Sequence, residues 1–75
     1  MQDNMENVLI RDDFIKLGQA MKLCGAAESG SEAKALIENG EVKVNGEICT
    51  ERGKKLRPGD QFSYFEHDYQ IYRTS

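Results

Sequence analysis

The stretch SGSEAKALIENGEVKVNGE, residues 29–47, limits the possible folds more than any other part of the chain. Ser29 with Glu32 three residues on is a capping box, which satisfies free amide donors at a helix start. Ala33, Leu36 and Ile37 then form an apolar stripe, and Gly40 after Asn39 is a stop signal. The pattern predicts a helix over about residues 30–39, too short to persist unless its apolar face packs. Directly afterwards Val42 and Val44 alternate with Lys43, and Asn45-Gly46 is a preferred turn pair, so a hairpin follows. Two registers are open. A two-residue turn sets Val44 opposite Glu47 and Val42 opposite Cys49. A three-residue loop sets Val44 opposite Ile48 and keeps two apolar groups on one face. The longer loop is expected, because a one-residue slip exchanges the faces.

The rest of the chain fits around this unit. Residues 1–6 are polar and expected to be loose. Val8, Leu9 and Ile10 within residues 7–11 suggest an edge strand. Asp12 and Asp13 are candidate N-caps for a first helix, in which Phe14, Leu17, Met21 and Cys24 recur at helical spacing and Gly25 ends the run. Gly18 inside that pattern either weakens the helix reading or marks a close backbone approach. Residues 50–60, TERGKKLRPGD, read as a polar connection anchored by Leu56, with Pro58-Gly59-Asp60 as a turn. Residues 61–65 and 69–73 read as strands joined through Glu66, His67 and Asp68. The fold class is therefore α+β: two short helices on a small, mainly antiparallel sheet of about four to five strands.

Seventy-five residues give a single domain, 1–75, with a thin core. Apolar residues make up 39% and charged residues 31%, too apolar a mixture for a disordered tail. No run of 18 apolar residues is present, and the acidic start lacks the basic flank of a secretory signal, so a cytoplasmic location without membrane insertion is expected. Cys24 and Cys49 form no C-x-x-C pair, and His67 is remote from both, so no metal site is expected; two partly buried thiols are. No phosphate-binding glycine loop or nucleophile motif occurs. His67 next to Asp68 in a turn reads as an exposed histidine, and no catalytic residues or cofactors are assigned. Tyr64, Tyr69 and Tyr72 read as core residues with their hydroxyls at the edge, in preference to base-stacking platforms.

The net charge of −3 argues against a generic nucleic-acid binder, but the charge is uneven. RGKKLR, from Arg52 to Arg57, holds four basic groups and no acid. Screening in the cell acts over about 8 Å, so a ligand at that loop senses the local cluster. Such a loop can track phosphates. The bland reading is a solvated loop, or cations paired with the protein's own acids. Lys34, beside Ala33 but off the stripe, and Lys43, opposite in facing to the valines, carry the same bland reading.

Two helices, the second opening on Ser and carrying Ala-Lys and Leu-Ile, then G-x-V-x-V-N-G, then a polar loop ending in P-G-D before a strand, resemble the αL RNA-binding motif. This is the RNA-binding domain of ribosomal protein S-four type. The resemblance covers about residues 14–65, and FIKLGQAMKLCG and ERGKKLRPGD look most like small stand-alone members of the YaaA/YbcJ type. It implies a non-enzymatic, monomeric module that grips structured RNA, ribosomal or transfer, by shape and phosphate, on the ribosome or in its assembly. It implies that Lys34, Lys43, Arg52, Lys54, Lys55 and Arg57 contact phosphates. Two positions depart from the family pattern. Ser29-Gly30 stands where many members carry Ser-Arg, and Ile15-Lys16-Leu17 where many carry Arg-Leu-Asp. The missing arginine at Gly30 and the acidic first half motivate a rival reading, a protein-interaction adaptor that keeps the fold without RNA.

Overall fold

The computed structural model describes residues 5–74. Strand β1 (Met5–Ile10) leads through a bend to the two-residue β2 (Ile15–Lys16), then to helices α1 (Leu17–Leu23) and α2 (Gly30–Glu38). Strands β3 (Val42–Val44), β4 (Glu47–Ile48), β5 (Lys55–Leu56), β6 (Gln61–Tyr64) and β7 (His67–Arg73) follow. Five strands form one sheet in the order β1-β7-β6-β3-β4, in which only β1 and β7 are parallel. β2 and β5 form a separate antiparallel pair. This is the expected α+β architecture, with β1 at the sheet edge.

The core lies between the helices and one sheet face. Leu17, Met21, Ile37, Val42, Leu56, Phe62 and Ile71 are its largest fully buried side chains. They come from both helices, from the sheet and from the two-stranded pair, so Leu56 does anchor the basic loop. Leu17 and Met21 are one helical turn apart, as are Ala33 and Ile37, so each helix presents one stripe to the sheet. Among the described residues no polar or charged side chain is buried. Phe62 stacks on Tyr69 with ring centroids 4.9 Å apart. Tyr69 is buried, Tyr64 half-buried and Tyr72 exposed, so the tyrosines grade from the core to its rim.

Several expectations need correction. Met5 and Glu6 belong to β1, so the loose segment cannot reach residue 6; residues 1–4 lie outside the described residues. Asp12 and Asp13 do not cap α1. The helix starts at Leu17 and Lys16 occupies the N-cap without a side-chain bond, while Phe14 lies before the helix. Asp13 instead pairs with Arg73 at 2.9 Å. The hairpin takes the shorter turn: Lys43 faces Ile48 and Val44 faces Glu47. Asn45 and Gly46 both have positive φ, 51° and 89°, as the tight type I′ turn requires. Val42 and Val44 do not need Ile48, because β3 pairs on its other side with β6, setting them opposite Tyr64 and Phe62. The last hairpin turns at Phe65-Glu66, since Tyr64 pairs with His67 and Ser63 with Asp68. His67 is thus an exposed strand residue.

Candidate nucleic-acid interface

The basic loop is held against α1 by backbone chemistry. The first amides of a helix lack partners within it. In α1 no side chain caps them; the Leu17 N–H donates to the Lys54 carbonyl at 2.8 Å and the Gly18 N–H to the Arg52 carbonyl at 3.0 Å. The backbone of the loop thus approaches Gly18 closely, although a Cβ there would meet the Arg52 Cβ at 3.5 Å, an ordinary van der Waals contact. The pairing of Ile15 with Leu56 and of Lys16 with Lys55 fixes the far side of the loop. Directly opposed residues of an antiparallel pair share a face, so Lys16 and Lys55 emerge together, away from buried Leu56.

The result is a cleft of about 500 Å³ lined by Lys16, Gly18, Gln19, Lys22, Gly30, Arg52 and Gly53. Among the described residues three cations and no carboxylate line it. Its wall includes the first residue of α2, whose N-terminus carries partial positive charge. Lys34 sits one helical turn beyond Gly30 on the same face and is exposed, so it extends this surface along α2. The Lys55 ammonium lies 4.9 Å from the centre of the Phe14 ring, a cation–π contact that holds it near β2.

The six basic residues singled out in the sequence are thus not one patch. Arg52 lines the cleft, with Lys55 beside Lys16 and Lys34 on the adjoining helix face. Lys54 faces a different hollow, with Glu47 and Glu51. Lys43 lies on the outer face of the sheet, in a hollow that includes Asp68. Arg57 is exposed, and its N–H donates to the Asp60 carboxylate at 2.7 Å. Among the described residues the only side-chain ion pair is Arg73 with Asp13, so none of the six makes a direct ion pair with a described acid. Sequence reasoning missed Lys16 and Lys22. Both lie in a stretch that the sequence reads as helix for its apolar stripe, although Lys16 belongs to β2 and only Lys22 to α1. The one available clue was Gly18, for which a close backbone approach was one of two open readings.

Elsewhere, burial raises the Cys24 thiol pKa, which keeps it protonated at neutral pH. Burial also pushes the Tyr69 phenol up to about 12, assisted by its neighbours Cys24 and Glu6. Cys24 and Cys49 are both half-buried free thiols. Among the described residues no cluster of three potential metal ligands forms.

Residues 8–72 match the family described as S4 domain. The chain belongs to the S4 domain family. The resemblance read from the GEVKVNGE and PGD stretches is therefore correct. The chain is 37% identical over 57 residues to "Putative RNA-binding protein YbcJ" of Escherichia coli (strain K12), covering 76% of this chain and 81% of that one. It is 42% identical over 53 residues to "Probable ribosome maturation protein RlbA" of Bacillus subtilis (strain 168), covering 71% and 75%. A third similarity, 39% over 51 residues, is to tyrosine–tRNA ligase of Moorella thermoacetica, where 68% of this chain matches only 12% of the enzyme. In this S4 domain the departure at Gly30 falls in the cleft wall itself. Nothing lies within 4 Å of a Cβ built there, so the missing side chain leaves the cleft open.

Proposed function

We propose that this S4 domain is a non-enzymatic module that binds structured RNA, ribosomal or transfer, and acts on the ribosome or in its assembly. The observation that carries the reading is the acid-free cleft where Lys16, Lys22 and Arg52 meet the N-terminus of α2. Unpaired cations beside a helix N-terminus suit phosphate oxygens. Lys34 and Lys55 flank the cleft and extend the phosphate track. Lys43, Lys54 and Arg57 lie on other faces and engage only an RNA that wraps around the domain. The names of the bacterial relatives, which mention RNA binding, ribosome maturation and a tRNA ligase, support the ligand class. No base-reading element is required for this part, because shape and phosphate contacts suffice for paired RNA.

Ultraviolet crosslinking in cells, with sequencing of the attached RNA, tests this. Enrichment of a structured RNA by the wild type, lost in Lys22→Glu/Arg52→Glu, is the expected result. Equal crosslinking by that variant, with its fold intact, overturns the site.

One observation favours the adaptor reading: Phe65 is 81% exposed and stacks on Tyr64 at 5.1 Å, at a hairpin tip bearing Glu66. A protein partner that survives nuclease treatment and is lost in Phe65→Ser supports that reading; loss of every partner with the RNA removes it.

A further inference from the structure

The cleft has a neighbour of opposite character. A hollow of about 460 Å³ adjoins it, lined by Ile10, Asp12, Phe14, Ile15, Gln19, Lys22 and Leu23. Gln19 and Lys22 line both spaces, so they form a shared rim. A second link runs through Phe14, which lines the hollow while its ring carries the Lys55 ammonium. Leu23 is 59% exposed, on the last turn of α1, off the helix face that packs on the core. An apolar recess with a few polar groups at its edge is the usual form of a binding pocket.

We propose that this hollow receives an unpaired base of the bound RNA, with the nucleotide's phosphate held at the shared rim by Lys22. The proposal rests on the RNA-binding reading and adds the class of RNA: a helix interrupted by a bulge or flanked by a loop. Three features fit. Phe14 and Leu23 offer the aromatic and aliphatic surface on which an unstacked base settles. Gln19 can both donate to and accept from a base edge. Asp12 accepts base N–H groups and repels phosphate, so it sets the nucleotide's direction, with the base inside and the phosphate toward Lys22 and the cleft. A peptide could also fill an apolar hollow, but the continuity with an acid-free cationic cleft favours a ligand that is apolar at one end and anionic at the other.

The test compares two RNA hairpins of one stem sequence, one fully paired and one with a single bulged nucleotide. Binding is measured with wild type and with Leu23→Ser, an exposed position outside the cleft. For the wild type, the bulged hairpin should bind roughly ten-fold tighter, a typical gain for stacking one base. In Leu23→Ser that advantage should vanish while affinity for the paired hairpin stays unchanged. Asp12→Asn should reduce the advantage without weakening the paired complex. Equal wild-type affinity for the two hairpins overturns the base pocket and leaves the phosphate cleft standing. An advantage that persists undiminished in Leu23→Ser overturns the location. Failure of the wild type to bind either hairpin overturns both readings.

Discussion

At the scale of single residues, on the proposed RNA reading, position in the cleft decides which charges count. Gly30 lies in the wall, at the start of α2, with open space where a side chain would grow. Gly30→Arg should therefore fold normally and tighten RNA binding several-fold, because it adds a fourth cation to the cleft. Leaving glycine at a helical position offsets about 0.5–1 kcal/mol of backbone entropy, against the similar cost of a cation at a helix N-terminus. A fluorescence titration with a structured RNA checks the first point and thermal melting the second. Tyr69 supplies a different test. Its folded pKa, about 12, lies above the ordinary value of 10. Stability linked to this group is fully present below pH 10 and is lost as pH rises from 10 toward 12, since the unfolded chain gives up its proton first. Tyr69→Phe should flatten that alkaline limb in urea melts taken between pH 9 and 12.

At the scale of elements, loops and helix ends assemble the site. The Ser29 hydroxyl accepts the Glu32 N–H at 3.1 Å, and Glu32 returns a bond, although to the Glu28 N–H at 2.6 Å instead of that of Ser29. The box is displaced by one residue and still satisfies two exposed donors. Ser29→Ala should cost about 1 kcal/mol in chemical denaturation. Asn45 does more than turn the hairpin. Its side-chain oxygen accepts the Gln61 N–H at 3.0 Å and its amide donates to Asp60 at 3.3 Å. It therefore ties the β3–β4 turn to the turn before β6. Asn45→Ala loses both bonds and places alanine at φ 51°, so a destabilisation of roughly 2 kcal/mol is expected by the same measurement. Helix α1 lacks such a box, and that lack is productive: its free amides recruit the Arg52 and Lys54 carbonyls and so dock the basic loop.

At the scale of the whole molecule, the two helices, the hairpin, the edge strand and the P-G-D turn were legible because each has a local signal of period or turn chemistry. The short β2–β5 pair was not. Two residues carry no period, and Ile15-Lys16 reads as helix until Leu56 is known to lie opposite. The hairpin register was misread because the sequence cannot reveal that β3 is flanked on both sides. The basic loop was visible as composition, but the site is a juxtaposition. Its cations Lys16 and Lys22 stand some 30 or more residues from Arg52 in the chain and meet it only through long-range pairing. Net charge was equally uninformative, since the acids among the described residues are absent from the cleft lining.

If this cleft binds RNA through phosphates, the affinity must depend on salt in step with the cations that line it. Affinity for a structured RNA hairpin should be measured between 50 and 200 mM KCl for wild type and for folded Lys22→Ala/Arg52→Ala. About four phosphate contacts give a slope of log K against log salt of about −3 to −4, and removing two cations should lower its magnitude by about 2. Identical slopes and affinities for the two proteins would contradict the account.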